Sequence, residues 1–190
     1  MWESLVQIDQ DIFRFINGLP ISRFNEFWLF VTQIENWIPL YLLFFFILIY
    51  KLRWRRGLAS ILGVFTVASV TLWLTNVVKD QVQRLRPNNE PALVDAINVF
   101  QMPENFSFWS GHSAVSFAVT TFVVLLLRKY SWSRWYLLFY LWPLTFALSR
   151  IMVGVHYPFD VIVGMLVGLL LGILFYKAMV AIFQKLQHST

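Results

Sequence analysis

The sequence predicts an all-α protein, a polytopic membrane bundle of five transmembrane helices preceded by an amphipathic helix at the membrane interface. Three observations predict it. Of the 190 residues, 58% are hydrophobic, 18% aromatic and only 13% charged, against about 25% charged in an ordinary soluble chain. Five apolar stretches approach or exceed the roughly 20 residues that cross a bilayer. Lysine and arginine gather at the ends of these stretches, where cations anchor helices to headgroups. The mean hydropathy of +0.63 is too apolar for a soluble domain of this size. The absence of cysteine excludes disulfides, thiolate metal sites and thiol nucleophiles. A net charge of +5, from 15 basic and 10 acidic residues, would suit nucleic acid if it formed a stripe on a soluble face. It lies instead at span ends, so the expected contacts are membrane lipids and no nucleic acid.

The elements follow in order. Residues 1–23 place Leu5, Ile8, Ile12, Phe15 and Ile16 on one helical face and Glu3, Gln7, Asp11 and Arg14 on the other, the pattern of a helix lying in the interface. Gly18-Leu19-Pro20 ends it. The start lacks the basic segment of a signal peptide, so the first span is expected to act as its own insertion signal. Residues 24–34 are too short to cross alone, and a sixth span would have to be built from this region. The five spans are expected at 37–50 (drawing on residues back toward Phe27), 58–78, 114–127, 135–148 and 159–183. The third and fourth are short and borrow flanking residues such as Ser113 and Ser149. Gly164, Gly168 and Gly172 recur every four residues, a face that lets a neighbouring helix approach closely. The whole chain reads as one membrane-embedded domain, with residues 37–183 as its motif-bearing core. His188 falls in a polar tail and is expected to be solvated.

Orientation follows from the cations. Lys51, Arg53, Arg55 and Arg56 follow the first span, Arg128, Lys129 and Arg134 the third, and Lys177 and Lys185 the fifth. These places share one side, which the positive-inside rule makes cytoplasmic. The other side carries three polar islands: Lys79-x6-Arg86-Pro87, Ser110-Gly111-His112, and Ser149-Arg150-x5-His156-x3-Asp160. Charges at membrane depth cost about 2.5–3.5 kcal/mol each on insertion scales, so they mark function by default.

Each island has a chemical and a plain reading. Lys79 and Arg86, two helical turns apart, share a face if the segment is helical; they then present a point charge and a bidentate fork to a phosphate, or else snorkel as span-end anchors. Ser110-Gly111 at a helix start offers a hydroxyl and backbone N–H groups to an anion, with His112 placed to give up a proton; the plain reading is a serine N-cap beside a bystander histidine. In the third island, Asp160 sits near His156 and fixes its tautomer, leaving the other ring nitrogen as nucleophile or base. The chemistry that suits all three together is phosphoryl transfer. In the long connection 80–111, prolines and asparagines fix turns, and a loop of that length is usually functional. Its Asn105-Phe106-Ser107 matches a glycosylation acceptor, a match so short that it is read as accidental. Arg84 is expected to face headgroups.

These motifs resemble the signatures of the type 2 phosphatidic acid phosphatase superfamily, Lys-x6-Arg-Pro, Pro-Ser-Gly-His and Ser-Arg-x5-His-x3-Asp, over residues 37–183. Trp109 stands where that family usually has proline; it is expected at the lipid interface or against the substrate's glycerol or acyl region. The resemblance implies an integral-membrane lipid phosphatase in which His156 is the nucleophile that forms a phosphohistidine. Asp160 would orient it, and His112 would protonate the leaving alkoxide and then activate water. Lys79, Arg86, Ser110, Gly111 and Arg150 would hold the phosphoryl oxygens. No metal or other cofactor is expected, because three fixed cations take the place of magnesium and no acidic cluster suits one. The substrates implied are phosphatidylglycerophosphate, phosphatidic acid, undecaprenyl diphosphate or a lipid A phosphate. The expected location is the inner (cytoplasmic) membrane, multi-pass, with the site on the non-cytoplasmic face. The competing reading is a bundle that binds or transports lipid phosphates without turnover.

Overall fold

The computed structural model describes residues 2–93 and 97–188, and among these all regular structure is helical. Helix α1 (Trp2–Asn17) and the short α2 (Asn25–Thr32) precede the long α3 (Ile38–Val82); α4 (Gly111–Tyr130), α5 (Leu141–Met152) and α6 (Pro158–His188) follow. Three segments are long and apolar enough to cross a membrane, those containing α3, α4 and α6. Their outward faces are greasy: Phe46, Leu62, Trp73 and Leu170 are each more than half exposed, the surface expected of a protein solvated by lipid. The side chain of His188 lies outside the described residues.

Helix α3 consists of two helical arms joined by a reversal. Arg53 takes φ 66°, ψ 164°, and the chain doubles back. A side chain on Gly57 would meet Ile49 Cα at 2.6 Å, and Phe45 touches Phe65 at 5.6 Å between ring centroids. Residues 20 apart on a straight helix would be about 30 Å apart. The link between the first two expected spans is thus a hairpin tighter than the sequence suggested. The fourth apolar stretch is also irregular: a 3₁₀ turn over Arg134–Tyr140 leads into α5. At about 2 Å per residue in the 3₁₀ part and 1.5 Å in the α part, it covers about 30 Å.

The core forms where α4 is wrapped by both arms of α3, by α5 and by α6. Phe44, Leu48, Phe122, Leu126 and Phe183 are fully or almost fully buried there. The contact between α4 and α6 is the closest. Side chains added at Gly164, Gly168 and Gly172 would meet the carbonyl oxygens of Ser110, Ala114 and Ala118 at 2.6, 2.3 and 2.7 Å. The two helices run parallel, in register, with both N-termini at one end of the bundle. Among apolar surfaces in lipid this approach replaces the hydrophobic effect, because close backbone packing is what lipid tails cannot imitate.

Helix α1 docks through a different face from the one its pattern suggests. Leu5, Ile8, Ile12 and Phe15 are exposed, while Asp9, Phe13 and Asn17 are fully buried. Asn17 is the anchor: its Nδ2 donates to the carbonyls of Asn98 and Ile151, each at 3.1 Å, and its Oδ1 accepts from the Asn98 N–H at 2.7 Å. Helix α1 is therefore packed onto the ends of α5 and α6, with its apolar stripe turned outward. Gly154, in the α5–α6 connection, holds φ +82°, and a side chain there would strike the Asn98 carbonyl at 2.4 Å. Only glycine suits that turn.

Gly168→Val is expected to lower the thermal midpoint in detergent by about 2–12 °C. Overpacking costs about 1–3 kcal/mol, and in a chain of this size each kcal/mol moves the midpoint about 2–4 °C. The neighbour is a backbone carbonyl that cannot step aside. A midpoint equal to that of the parent protein would contradict the close α4–α6 contact.

Candidate active site

Four helix ends and one loop converge where α4 and α6 begin. The second arm of α3 stops at Val82, because Gln83 turns left-handed (φ 51°) and caps the Lys79 carbonyl with its N–H at 2.9 Å. Arg86 lies beyond this stop in extended backbone. Lys79 and Arg86 therefore do not share a helix face as the sequence suggested; they reach the same place from a helix and from a loop.

Arg86 is held by Asn105, whose carbonyl accepts from Nε at 2.7 Å and whose Oδ1 accepts from Nη2 at 2.5 Å. Its Nη1 donates to the Val155 carbonyl at 2.8 Å and lies 3.1 Å from His156 Nε2. A guanidinium has only donors, so Nε2 must be the acceptor and the ring proton sits on Nδ1. That nitrogen faces Asp160 Oδ2 at 3.4 Å and Ser107 Oγ at 3.5 Å. His156 is 1% exposed. Burial, reinforced by the Arg86 cation, holds its imidazole well below the ordinary histidine range. The ring is neutral, with the Nε2 lone pair turned toward the cations.

Asp160 supports that ring from behind, in the first turn of α6. Its Oδ2 accepts from the Ser107 hydroxyl and from the Tyr157 N–H at 3.0 Å. Its Oδ1 accepts from Arg84 Nη1 at 2.7 Å, while Arg84 Nη2 donates to Asp9 Oδ2, also at 2.7 Å. Arg84 therefore does not face headgroups. Two fully buried carboxylates require a cation between them, and Arg84 is that cation.

Arg150, in the last turn of α5, is 4% exposed. Its Nη1 donates to Thr32 Oγ1 and to Gln101 Oε1 at 2.9 Å, and its buried Nε has no acceptor among the described residues. Gly111 and His112 open α4, and the His112 ring lies 5.0 Å from that of Phe146. Ser110 is fully buried as the N-cap of α4: its Oγ accepts from the Ser113 N–H at 3.4 Å, and its own N–H donates to the Asp160 carbonyl at 3.0 Å. Trp109 is not at the lipid interface. It is buried, and its indole N–H donates to Thr75 Oγ1 at 2.9 Å, clamping the loop onto α3.

These groups close one end of a cavity of about 700 Å³, within the roughly 300–1,000 Å³ usual for ligand sites. Lys79, Arg86, Gly111, His112, Arg150 and His156 line its polar end; Ser110 and Asp160 stand behind that lining. The rest of the wall is mostly apolar, and Ile38, Leu42, Phe65 and Leu72 on it are half or more exposed. The cavity thus opens sideways through the bundle's greasy flank. Among the described residues, Lys79, Arg86 and Arg150 form no ion pair with any carboxylate. Three cations without acidic partners, beside the positive ends of two parallel helices, form a cradle for an anion.

Sequence reasoning missed the supports. Asn105 and Ser107 hold Arg86 and Asp160, although their triplet had looked like an accidental glycosylation match. Thr32 and Asp9 come from the N-terminal region, outside the motif-bearing core, and no local signal marks them.

Over its full length the chain is 30% identical to a lipid A 4'-phosphatase of Bacteroides thetaiotaomicron, covering 85% of that protein. It is also 30% identical to an undecaprenyl-diphosphatase of Sulfolobus acidocaldarius, over 87% of this chain and 76% of the other. The fold is that of the crystal structure of a transmembrane PAP2 type phosphatidylglycerolphosphate phosphatase from Bacillus subtilis, with a TM-score of 0.71 at 21% identity, covering 96% of this chain and 87% of that one. The family model of the PAP2 superfamily matches residues 57–184, a span that holds all three islands, and the chain belongs to that superfamily.

Proposed function

We propose that this protein is an integral-membrane lipid phosphatase that hydrolyses a phosphate monoester or diphosphate through a phosphohistidine on His156. One observation carries the reading: a buried, oriented imidazole presents Nε2 to Arg86 in a cavity it shares with Lys79 and Arg150, and among the described residues none of these three cations has an acidic partner. The phosphoryl group would enter the cradle with the lipid tail along the apolar wall. The Arg86 N–H that now meets Nε2 would pass to a phosphoryl oxygen, joined by Lys79, by the free Nε of Arg150 and by the Gly111 N–H. Ser110, buried behind that lining, serves by capping the start of α4, next to the Gly111 N–H.

Nε2 then attacks phosphorus and the bond to the lipid oxygen breaks. His112, across the cavity, protonates the departing alkoxide; afterwards it takes a proton from water, which attacks the phosphohistidine and returns His156 to its starting state. Asp160 accepts the Nδ1–H throughout and stabilises the cationic ring as it forms. The cations neutralise the phosphoryl oxygens, a role that magnesium fills in many such enzymes. Asp9 and Asp160 are already taken by Arg84, so the charge at this site is proposed to be met without a metal.

The chain is proposed to cross the membrane five times, by the two arms of α3, α4, the segment ending in α5, and α6, with α1 at the interface. The positive-inside rule then puts the cradle on the non-cytoplasmic face. Among substrates, a phosphate on lipid A is placed first, because the lipid A 4'-phosphatase relative aligns with the whole chain, including the N-terminal residues that hold Arg150 and Arg84. Undecaprenyl diphosphate, phosphatidic acid and phosphatidylglycerophosphate are the comparison set.

In detergent, the purified protein is expected to release inorganic phosphate from a lipid phosphate at the same rate with and without EDTA, and to lose release when carrying His156→Ala. Binding without release would support a transport or binding bundle instead. His112→Ala is expected to slow turnover by about 10²–10⁴-fold, the usual contribution of a general acid or base. Ser107→Ala removes a hydrogen bond to a charged group, worth about 1.5–3 kcal/mol, and is expected to reduce kcat about 10- to 100-fold and to lower the midpoint of unfolding by about 3–12 °C. An unchanged kcat would show that Asp160 does not need that support.

A further inference from the structure

We propose that Asp9 and Arg84 are a positioning pair through which helix α1 fixes the orientation of Asp160 and, through it, of His156. The pair has this role only if His156 is the reacting imidazole, as proposed above. Arg84 divides its fork between two carboxylates: Nη1 to Asp160 Oδ1 and Nη2 to Asp9 Oδ2, each at 2.7 Å. Both carboxylates are fully buried, and Arg84 is 21% exposed. The guanidinium lies 3.9 Å from the Tyr157 ring centroid, and Phe13 of α1 packs edge-on against the same ring at 5.6 Å. Asp9 Oδ1 also accepts from the Phe159 N–H at 2.9 Å, at the open N-terminus of α6, one residue before Asp160. Helix α1 therefore grips the start of α6 at three points.

The consequence for His156 is geometric. With Oδ1 of Asp160 held by Arg84, and Oδ2 by the Ser107 hydroxyl and the Tyr157 N–H, the carboxylate cannot rotate. Oδ2 stays aimed at His156 Nδ1, 3.4 Å away. That separation is long for a hydrogen bond, so the ring depends on its partner being immobile. A lysine at position 84 would supply the charge but not the planar fork that spans two carboxylates. Among the described residues, helix α1 lines none of the cavity; it reaches Asp160 through Asp9 and Phe13.

The test is steady-state kinetics on purified full-length Arg84→Gln, Arg84→Lys, Asp9→Asn and the Asp9→Asn/Arg84→Gln double variant, with Asp11→Asn as a surface control on the same helix. Asp9→Asn keeps an oxygen for the Phe159 N–H and removes both the charge and the acceptor that Arg84 Nη2 uses. The expected result is a fall in kcat of about 10- to 100-fold for Arg84→Gln, the range seen when outer partners of a working ligand are removed. KM for the lipid phosphate should stay within about twofold, since the pair does not touch substrate. Arg84→Lys should fall between Arg84→Gln and the parent protein. Asp9→Asn should be slower than the parent, and the double variant no slower than Arg84→Gln alone. Parent kcat in both Asp9→Asn and Arg84→Gln, while His156→Ala is inactive, would overturn the pair and leave the reading of His156 standing. If Arg84→Gln does not fold, Asp9→Asn and Arg84→Lys decide by the same measure, and parent kcat in both overturns the pair. Absence of phosphate release from the parent protein itself would remove the reading of His156 and the pair with it.

Discussion

The site depends on how closely α4 and α6 approach. Three glycines on α6 lie against carbonyl oxygens of α4, at separations where a methyl group would collide, and this fixes the two helices parallel and in register. Their N-termini therefore open side by side, which brings Ser110-Gly111-His112 next to His156 and Asp160. The Ser110 N–H to Asp160 carbonyl bond, at 3.0 Å, and the Ser113 hydroxyl to Val161 carbonyl bond, at 2.8 Å, close the junction. Were the helices farther apart, the two islands would share a membrane surface but not a cavity. In lipid, where burial of apolar surface gives little, such close contact is the main cohesive force available.

Around that junction the protein separates two kinds of charge. Arg84 is neutralised by Asp9 and Asp160 and serves as structure. Lys79, Arg86 and Arg150 receive no carboxylate, and neutral oxygens from Asn105, Val155, Thr32 and Gln101 hold the two arginines instead. Such partners orient a guanidinium without cancelling its charge, so the field at the polar end of the cavity stays positive. Placing an anion there offsets the cost of keeping cations out of water. The apolar wall beside the cradle explains why a lipid anion suits the site better than a soluble one.

The fold class was legible because lipid imposes long apolar runs with cations at their ends, and the three islands because buried charge is rare in such runs. Spacing placed His156 at the entrance to α6 and Asp160 in its first turn, as found. The glycine period marked the face of α6 that a neighbouring helix approaches closely, and that neighbour is α4. Other features were hidden for identifiable reasons. A break between residues 50 and 58 was expected, but not that the single residue Arg53 makes the reversal. The stop at Gln83 follows from a left-handed conformation in a residue that gives little warning of it. Helix α1 hides Asp9 and Asn17 on its docking face, where polar residues satisfied by distant partners imitate a solvated side. Arg84 looked like one more interfacial cation, since its partners lie 75 and 76 residues away.

The central claim is that the cationic end of the cavity receives a phosphoryl group within reach of His156 Nε2. Orthovanadate mimics the five-coordinate state of such a transfer, and a crystal structure of the protein soaked with it tests the claim most directly. The account predicts vanadium bonded to His156 Nε2, with its equatorial oxygens accepting from Arg86, Arg150 and the Gly111 N–H. Vanadate bound elsewhere, or in the cavity without a bond to that nitrogen, would contradict it.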